Sequence, residues 1–324
     1  MKKFKKILIF FLLAVVIVIC GALSYVKFAL PNVGEAPELK VDITPQRVER
    51  GKYLANNVAV CIDCHSTRDW SKFSGPVVPE KLGAGGEKFD KSMGFPGEVH
   101  VPNITPHNLQ TWTDGELFRA ITTGVKKDGS AIFPIMPYKS YGQMDKEDIL
   151  SIIAYLRTLP AKASATPERQ LDFPLNFIVN TMPSEAKLST KPAENDAIAH
   201  GKYLVNVAAC GECHTKSDQD GPVAGFEFAG GNTFPLPNGT VTSANISPDK
   251  TTGIGQWTKE MFVAKFQAHA NADQIAKVGA KEFQTIMPWT MYGKMKQTDL
   301  EAIYAYLQTV KPVKNKIVRF QPNN

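Results

Sequence analysis

Cysteine is scarce in this chain, and its scarcity excludes a fold that depends on disulfides. The 324 residues contain five cysteines. Four of them belong to two short motifs, and the fifth, Cys20, lies in an apolar segment near the N-terminus. A disulfide scaffold would contain cysteine at a higher density. No cysteine remains for a structural disulfide outside the motifs, so the motifs must serve another purpose.

The body of the chain also has little net charge, although the whole sequence carries a formal charge of +6. Residues 1–30 contain five lysines and no acidic residue, so subtracting five leaves +1 for residues 31–324. A surface that binds nucleic acid would show a strong basic excess in the folded body. We therefore expect no nucleic-acid partner.

The two cysteine motifs share the pattern C-x-x-C-H and occupy residues 61–65 and 210–214. Positions i, i+3 and i+4 of a helical turn share one face, so two thiols and one imidazole point at the same object. This pattern is the attachment motif of a c-type haem, in which the histidine binds the iron. It predicts two haem c groups, held covalently by Cys61, Cys64, Cys210 and Cys213 and ligated by His65 and His214.

A redox dithiol or half of a zinc site also uses two cysteines at this spacing. A dithiol does not require a histidine directly after it in both copies. A structural zinc finger needs a further H-x₃₋₅-H pair at finger spacing, and none follows. Haem attachment is the favoured interpretation, with zinc and a disulfide as the alternatives.

Four lysines near the N-terminus precede an uncharged apolar run at residues 7–26. Twenty helical residues match the hydrocarbon thickness of a bilayer. The basic end should stay in the cytoplasm, which places the rest on the periplasmic or extracellular side. We expect residues 1–30 to be a retained single-pass anchor in the cytoplasmic membrane and residues 31–43 a short tether. A cleaved signal peptide is the alternative, because residues 22–24 have a small-x-small pattern.

Several short stretches recur in the same order, which indicates a tandem duplication. They include Gly-Lys-Tyr-Leu at 51–54 and 201–204, Asn-Ile-x-Pro at 103–106 and 245–248, Ile-Met-Pro at 135–137 and 286–288, and Ala-Tyr-Leu at 154–156 and 305–307. We predict two all-α domains at residues 44–160 and 196–313, and a tail at 314–324. The connecting residues 161–195 are rich in proline but too apolar for a free linker, so we expect them to lie against the domains.

Each half should open with a helix that runs into its motif and close with an amphipathic helix. Thr44, Asp145 and Thr298 are predicted to cap helix N-termini. Gly51 and Gly201 lie inside the opening helices, where glycine is unfavourable. We therefore expect the closing helix of each half to cross the opening helix closely at its glycine.

An iron that only carries electrons needs a sixth ligand, and methionine recurs in both halves. Met136 and Met287 lie 75 and 77 residues after the first cysteine of their motifs, each before a stiffening proline. Met144 and Met295 also recur, but they precede the closing helices, where an apolar residue usually packs as a hydrophobic staple. We therefore predict His/Met ligation through Met136 and Met287.

The other histidines recur at no equivalent place, so we expect them on the surface or in loops: His100, His107, His200 and His269. Backbone carbonyls near Gly75-Pro76 and Gly221-Pro222 are predicted to accept the Nδ1–H of the motif histidines, leaving Nε2 for iron. The two recurring tryptophans, Trp112 and Trp257, are expected to pack beside the haems.

These features resemble the membrane-bound multihaem cytochrome c subunits of bacterial alcohol, aldehyde and gluconate dehydrogenases. The matching stretches lie within about residues 46–312: Arg50-Gly51-x-Tyr53-Leu54, residues 245–248 with 252–255, the Met-Pro-aromatic loops and the closing Ala-Tyr-Leu helices. The resemblance implies cytochrome c-like helical domains with His/Met haems. Those subunits have three haem domains and a C-terminal membrane attachment, whereas this chain has two motifs and an N-terminal apolar run.

We therefore expect an electron carrier rather than an enzyme. The resemblance implies a dehydrogenase as electron donor, and an oxidase or another cytochrome as acceptor. The alternative is a dihaem oxidoreductase, either a peroxidase or an enzyme like thiosulfate dehydrogenase. A peroxidase needs a five-coordinate or displaceable iron, and the equivalence of Met136 and Met287 argues against it.

Overall fold

Helices form most of the regular structure of residues 2–218 and 221–323, which the computed structural model describes. The first half contains α1 (Lys2–Phe28), α2 (Pro45–Tyr53), α3 (Cys61–Cys64), α4 (Pro106–Leu109), α5 (Asp114–Thr123), α6 (Tyr138–Tyr141) and α7 (Lys146–Thr158). After α8 (Leu175–Ile178), the second half contains α9 (Ala197–Val207), α10 (Cys210–His214), α11 (Lys259–Gln267), α12 (Trp289–Tyr292) and α13 (Gln297–Leu307). Apart from α1 and the short α4, the helices of the first half have counterparts of similar length and order in the second.

Small antiparallel sheets accompany the helices, so the prediction that the fold is all-α was wrong in this respect. One sheet contains β1 (Lys88–Phe89), β2 (Gly97–His100) and β3 (Gln170–Leu171), a second contains β4 (Ser217–Asp218) and β5 (Gly221–Pro222), and a third contains β6 (Thr233–Leu236), β7 (Gly239–Thr242) and β8 (Phe320–Pro322). In the third sheet, Val241 of β7 pairs with Phe234 of β6 on one side and with Phe320 of β8 on the other. The long loops between helices thereby satisfy their backbone groups through strand pairing.

The opening and closing helices of each half cross at a glycine, as the sequence predicts. A Cβ atom on Gly51 of α2 would lie 1.8 Å from the carbonyl oxygen of Ser151 in α7. In the second half, a Cβ atom on Gly201 of α9 would lie 1.9 Å from the carbonyl oxygen of Ala302 in α13. Only a residue without a side chain allows these two backbones to approach so closely.

Two of the three predicted helix caps are confirmed. The Thr44 side chain accepts the backbone N–H of Arg47, and the Asp145 side chain accepts that of Glu147. Thr298 is not a cap, because α13 already begins at Gln297, one residue earlier. The closing helix of the second half therefore starts without a side-chain cap.

The opening helices do not run unbroken into the motifs, which corrects the prediction. Helix α2 ends at Tyr53 and passes into a π-helical turn at Leu54–Val58. Val60 then adopts a left-handed conformation with φ of 47° directly before α3. Ala209 does the same before α10, with φ of 50°. Each motif is therefore a separate helical turn, set at an angle to the helix before it.

Asp148, near the start of α7, joins the two halves. It forms an ion pair with Arg50 of its own half, and it also accepts a hydrogen bond from Tyr203 Oη of the second half at 2.7 Å. Burial alone would raise the pKa of Asp148, but the hydrogen bond and charge of Arg50 outweigh burial and hold the pKa below its ordinary value. The carboxylate is thus kept ionised inside the contact between the halves.

Asp299, at the equivalent place in α13, makes the reciprocal contacts. It accepts a hydrogen bond from Tyr53 Oη of the first half and contacts His200 Nε2 of its own half at 2.9 Å. His200 is 2% exposed, so the prediction that it lies on the surface or in a loop was wrong. It occupies the place that Arg50 has in the first half, where a side chain must pair with the buried carboxylate.

The connecting residues pack on the first half, as predicted. The backbone N–H of Lys187 donates to the carbonyl of Gly142 at 2.8 Å, and that of Ser189 donates to the carbonyl of Met144 at 3.2 Å. Strand β3, also from this segment, pairs with β2. The segment is therefore a structured part of the body.

The N-terminal helix is long and apolar enough to cross a bilayer. Its most apolar 18-residue stretch has a mean hydropathy of 3.1, and none of those residues is buried against the rest of the protein. The predicted tether after it is not free along its whole length. The Val41 side chain is buried, and its N–H donates to Asp114 Oδ2 at 2.8 Å. Pro37 lies against Gly115, where an added Cβ would come within 1.8 Å of the Pro37 carbonyl oxygen.

Alanine at either crossing glycine should destabilise the protein, because the new methyl group would overlap the carbonyl oxygen of the partner helix. We expect Gly51→Ala and Gly201→Ala each to lower the free energy of unfolding by about 1–3 kcal/mol or more. Denaturant unfolding followed by helical circular dichroism measures the change. Lys52→Ala, at an exposed position of α2, is the control. Equal midpoints for Gly51→Ala and Lys52→Ala would contradict the close crossing.

Acid should weaken the contact that Asp148 makes. Its pKa is lowered in the folded state, so its stabilisation is complete above about pH 4, the ordinary range of a free carboxyl, and is lost as the pH falls through the lowered value. Asp148→Asn should lower the free energy of unfolding by about 1–3 kcal/mol at pH 7. It should also make that free energy fall less steeply as the pH is lowered. Unfolding at a series of pH values tests this, with the exposed Asp42→Asn as the control. An unchanged acid profile in Asp148→Asn would refute the assignment.

Candidate functional site

Each C-x-x-C-H motif forms one helical turn that presents unpaired thiols. The His65 N–H donates to the Cys61 carbonyl at 2.9 Å, which closes the first turn. The cysteines of both motifs are free and half-buried, and none forms a disulfide. The disulfide alternative therefore has no support, and the paired thiols remain available for attachment to another group.

The two motif histidines are held in the same way, by a carbonyl that accepts a hydrogen bond from Nδ1. His65 Nδ1 lies 2.8 Å from the Pro102 oxygen, and His214 Nδ1 lies 2.7 Å from the Ala244 oxygen. A carbonyl can only accept, so the proton must be on Nδ1 and the lone pair on Nε2. Both acceptors directly precede the repeated Asn-Ile-x-Pro stretch, and this was the sequence signal for them.

The acceptors predicted from the repeated Gly-Pro pairs were wrong. The structure does not bring Gly75-Pro76 or Gly221-Pro222 to the motif histidines. The carbonyl of Gly75 instead accepts the Nε–H of Arg68 at 2.7 Å. Gly75-Pro76 lies in a loop and Gly221-Pro222 forms β5. The loop that faces each imidazole comes from later in its half, at Pro102 and Ala244.

Two buried asparagines fold the loops that supply these carbonyls. The Oδ1 atoms of Asn103 and Asn245 accept the N–H of the residue two positions later, at 2.8 and 2.9 Å. Their Nδ2 groups donate to carbonyls beyond the closing helices, those of Lys162 and Val313, at 2.7 and 2.8 Å. Each asparagine therefore ties the histidine-supporting loop to the end of its half.

Burial lowers the pKa of both motif histidines, so the imidazoles are in the neutral form that binds a metal ion. A zinc site would need four ligands. Among residues 2–218 and 221–323, no group of three or more His, Cys, Asp and Glu side chains is placed to hold a metal ion. The donor set fits a group that itself supplies most of the iron's ligands, as a haem does.

The two pairs of recurring methionines differ in their surroundings. Met144 and Met295 are 0% and 4% exposed and lie inside the hydrophobic core. Met136 and Met287 are half-buried at the edge of that core, in the loops directly before α6 and α12. The first pair therefore consists of packing residues, whereas the second pair lies at the partly exposed boundary of the core.

Two tyrosines that the sequence reasoning did not single out support the motifs. Tyr141 Oη donates to the carbonyl of Ala59 at 2.7 Å, and Tyr292 Oη donates to that of Ala208 at 2.8 Å. These carbonyls directly precede the left-handed residues before α3 and α10. The recurrence of Tyr-Gly in both halves was the available signal.

The predicted surface and haem-side residues lie as follows. His107 is exposed, while His100 and His269 are partly exposed. His100 contacts Glu98 at 2.6 Å, and the His269 ring stacks on Trp289 with centroids 4.9 Å apart. Trp112 and Trp257 are partly buried against the core, so they are available to pack beside a bound group.

The first half supplies a serine to the second methionine loop. Ser74 is fully buried, and its Oγ donates to the Met287 carbonyl at 2.6 Å while accepting the Trp289 N–H at 3.0 Å. The Ser74 N–H donates to Gln284 Oε1 at 2.7 Å. The position equivalent to Ser74 in the second repeat, residue 220, lies outside the described residues.

Gln284 and two backbone pairings complete this contact. Gln284 Nε2 donates to the Lys72 carbonyl at 2.9 Å. The Phe73 N–H donates to the carbonyl of Ala276, and the Val278 N–H donates to that of Ser71, both at 2.9 Å. The loop that presents Met287 is therefore fixed in part by the segment that follows the first motif.

Comparison with known proteins supports the resemblance. Residues 198–311 match the cytochrome c family. The chain is 29% identical over 284 residues to the cytochrome c subunit of alcohol dehydrogenase (quinone) from Gluconacetobacter polyoxogenes, covering 82% of this chain and 56% of that protein. It is 28% identical over 281 residues to the fructose dehydrogenase cytochrome subunit of Gluconobacter japonicus, covering 81% and 52%.

A diheme cytochrome c-type protein of Cereibacter sphaeroides is 31% identical over 199 residues, covering 59% of this chain and 64% of that protein. The chain spans about half the length of the two dehydrogenase subunits. These three relatives are named as cytochrome subunits or as a diheme cytochrome, which confirms the predicted resemblance.

Removing the Ser74 hydroxyl should loosen the Met287 loop selectively. Ser74→Ala deletes a buried group that bonds to the Met287 carbonyl and the Trp289 N–H, at a cost of about 1–3 kcal/mol. Hydrogen exchange with mass spectrometry should then show faster exchange in residues 284–292 and no change in residues 133–141. Ser71→Ala, on the exposed side of the same loop, is the control. Faster exchange in both segments, 284–292 and 133–141, or in neither, would show that Ser74 does not specifically stabilise the Met287 loop.

Proposed function

We propose that this chain, which carries a cytochrome c domain at residues 198–311 and has cytochrome subunits as homologues, transfers electrons through two covalently attached haem c groups. The observation that carries the proposal is the repetition of one complete donor set. In both halves, two free thiols accompany a histidine whose Nδ1 is fixed by a carbonyl. A single such site could be coincidence, but two with the same support argue for the same use.

The proposed attachment residues are Cys61 and Cys64 in the first half and Cys210 and Cys213 in the second. His65 and His214 would provide one axial ligand each, because their Nε2 atoms carry the free lone pair. When bound, a haem supplies a one-electron Fe(III)/Fe(II) couple. The carbonyls of Pro102 and Ala244 hold each ring in one tautomer and orientation.

Met136 and Met287 are the proposed sixth ligands. Both occupy half-buried positions at the core boundary, and both precede a proline and a short helix that restrict the loop. The burial of Met144 and Met295 in the core supports this choice. A thioether ligand favours the reduced iron and so raises the potential. With His65 and Met136 on one iron and His214 and Met287 on the other, both haems would serve electron transfer and would have no free position for a substrate.

The contact between the halves supports transfer within one rigid body. Tyr53 and Tyr203 each reach the buried carboxylate of the other half, so the two motifs keep a constant separation. Electrons would therefore pass between the two proposed haem domains, residues 44–160 and 196–313, without a domain movement.

The proposed setting is the outer face of the cytoplasmic membrane. Helix α1 would cross the bilayer once, with the N-terminal lysines in the cytoplasm and the haem domains on the periplasmic or extracellular side. The proposed donor is a dehydrogenase, because two relatives are named as cytochrome subunits of dehydrogenases. The proposed acceptor is an oxidase or another cytochrome of the respiratory chain.

The holoprotein, made in a host competent for cytochrome maturation, should contain two covalent haems per chain. Mass spectrometry of the denatured protein counts them, and haem staining after denaturing electrophoresis shows that they are covalent. Replacing His65 or His214 should leave the thioether bonds intact but remove the low-spin spectrum of the haem that the replaced histidine would ligate. A denatured chain that carried no haem mass would refute the proposal.

Replacing either proposed sixth ligand should open one iron. We expect Met136→Ala and Met287→Ala each to convert one of two haems to a high-spin form, to abolish its sulfur-to-iron absorption band and to create peroxide turnover. Met144→Leu, which keeps the volume of the core, should change none of these. A wild-type protein that is already high-spin at one haem and turns over peroxide would favour the enzyme instead.

A further inference from the structure

An exposed apolar patch lies in the segment that connects the two halves. Outside α1, Phe173 is the most exposed large apolar side chain among the described residues, at 77%. Ile178, five residues later, is 44% exposed. Single exposed apolar residues are common on soluble proteins, but clustered ones usually mark a contact surface.

The segment that carries the patch, residues 173–178, is held in place by contacts with the body. The Phe173 and Phe177 rings make an edge contact with centroids 6.2 Å apart. Val179, directly after α8, is fully buried and anchors the segment to the body. The Asp172 N–H also donates to the Pro96 carbonyl. The exposed side chains are therefore held outward by a fixed backbone.

The same segment contacts the end of α1. Asn180 Nδ2 donates to the Val26 carbonyl at 3.3 Å. Lys27 Nζ lies 5.8 Å from the centroid of the Phe177 ring. Val26 is the last residue of the uncharged apolar run, and Lys27 is the first charged residue after it. The patch thus lies at the level where α1 would leave the hydrocarbon of a bilayer.

The chain between α1 and the body is too short to separate them widely. Only residues 29–36 lie between the end of α1 and Pro37, which already packs on Gly115 of α5. The body is therefore held near the end of α1 at two places, the packed tether and the contact of Asn180 with α1. If α1 crosses the bilayer, an apolar side chain beside its end would face the headgroup region of the lipid.

We infer that residues 173–178 insert their apolar side chains into the outer interface of the phospholipid bilayer, beside α1. Phe and Leu side chains insert at the boundary between headgroups and acyl chains, and a lysine beside them can extend its amine toward the headgroups. The inference rests on the proposed crossing of the membrane by α1. It gives the protein a second attachment point, which prevents the body from rotating freely about its tether.

A partner protein is the other possible occupant of an apolar patch. It is disfavoured here because the patch adjoins residues 26–28 of α1, so that a protein on it would itself have to occupy the lipid interface. The exposed Phe28 side chain, at 82%, extends the apolar surface toward the bilayer. Lipid covers both without requiring a second component.

Photo-cross-linking of the full haem-loaded chain tests the inference. The protein is reconstituted into vesicles of phosphatidylcholine and phosphatidylglycerol that contain a phosphatidylcholine with a diazirine in its acyl chain. After irradiation, mass spectrometry should find lipid adducts on residues 173–178 as well as on residues 7–26. Val318, an apolar residue of the C-terminal tail that is 63% exposed, is the internal control and should carry none.

A double variant, Phe173→Ser with Ile178→Ser, should reduce adducts on the peptide around Leu175 about tenfold or more, because two apolar side chains no longer favour insertion. Val318→Ser should leave them unchanged. Haem content and spectrum report folding and test the electron-transfer proposal separately. Adducts on residues 7–26 without any on 173–178 would overturn the inference alone. Adducts on neither segment would overturn the membrane anchor together with it, while leaving the haem assignment untouched.

Discussion

The close approach of two helix backbones at a glycine determines how each half of this protein is built. Where α2 crosses α7, Gly51 lets the helices touch, and α9 and α13 touch likewise at Gly201. The crossing places the end of the opening helix, and so the motif after it, at a fixed distance from the closing helix. It also brings the carboxylate near the start of each closing helix to the surface where the other half docks. The motif and the contact between halves thus depend on the same packing.

Features that rest on neighbouring residues were predictable from the sequence. The C-x-x-C-H turns, the caps at Thr44 and Asp145 and the glycine crossings each follow from residues a few positions apart or from exact repetition. Features that depend on distant partners were not predictable. The buried His200 could be recognised only once Asp299, 99 residues away, was known to lie beside it. The acceptors of the motif histidines were predicted wrongly because they lie 37 and 30 residues from the histidines, and the repeated Asn-Ile-x-Pro stretch beside them was the only sign of their position.

The small sheets were missed because their strands are short and their partners are remote. Strand β3 comes from the connecting segment and pairs with β2 of the first half, and β8 comes from the C-terminal tail and pairs with β7. A strand of two or three residues has no periodicity that a sequence can reveal. These pairings nevertheless matter to the site, because Ala244, which supports His214, follows β7 by two residues.

The two halves are not structurally independent. Ser74 of the first half bonds to the loop that presents Met287 in the second, and each of Tyr53 and Tyr203 bonds to a carboxylate across the contact. Because these bonds are buried or partly buried, separating the halves would leave polar groups without their partners, which is unfavourable. The two halves are therefore expected to form and lose their structure together. A change in the loop that follows the first motif can then alter the surroundings of Met287 in the second half, although the two motifs are 149 residues apart in sequence.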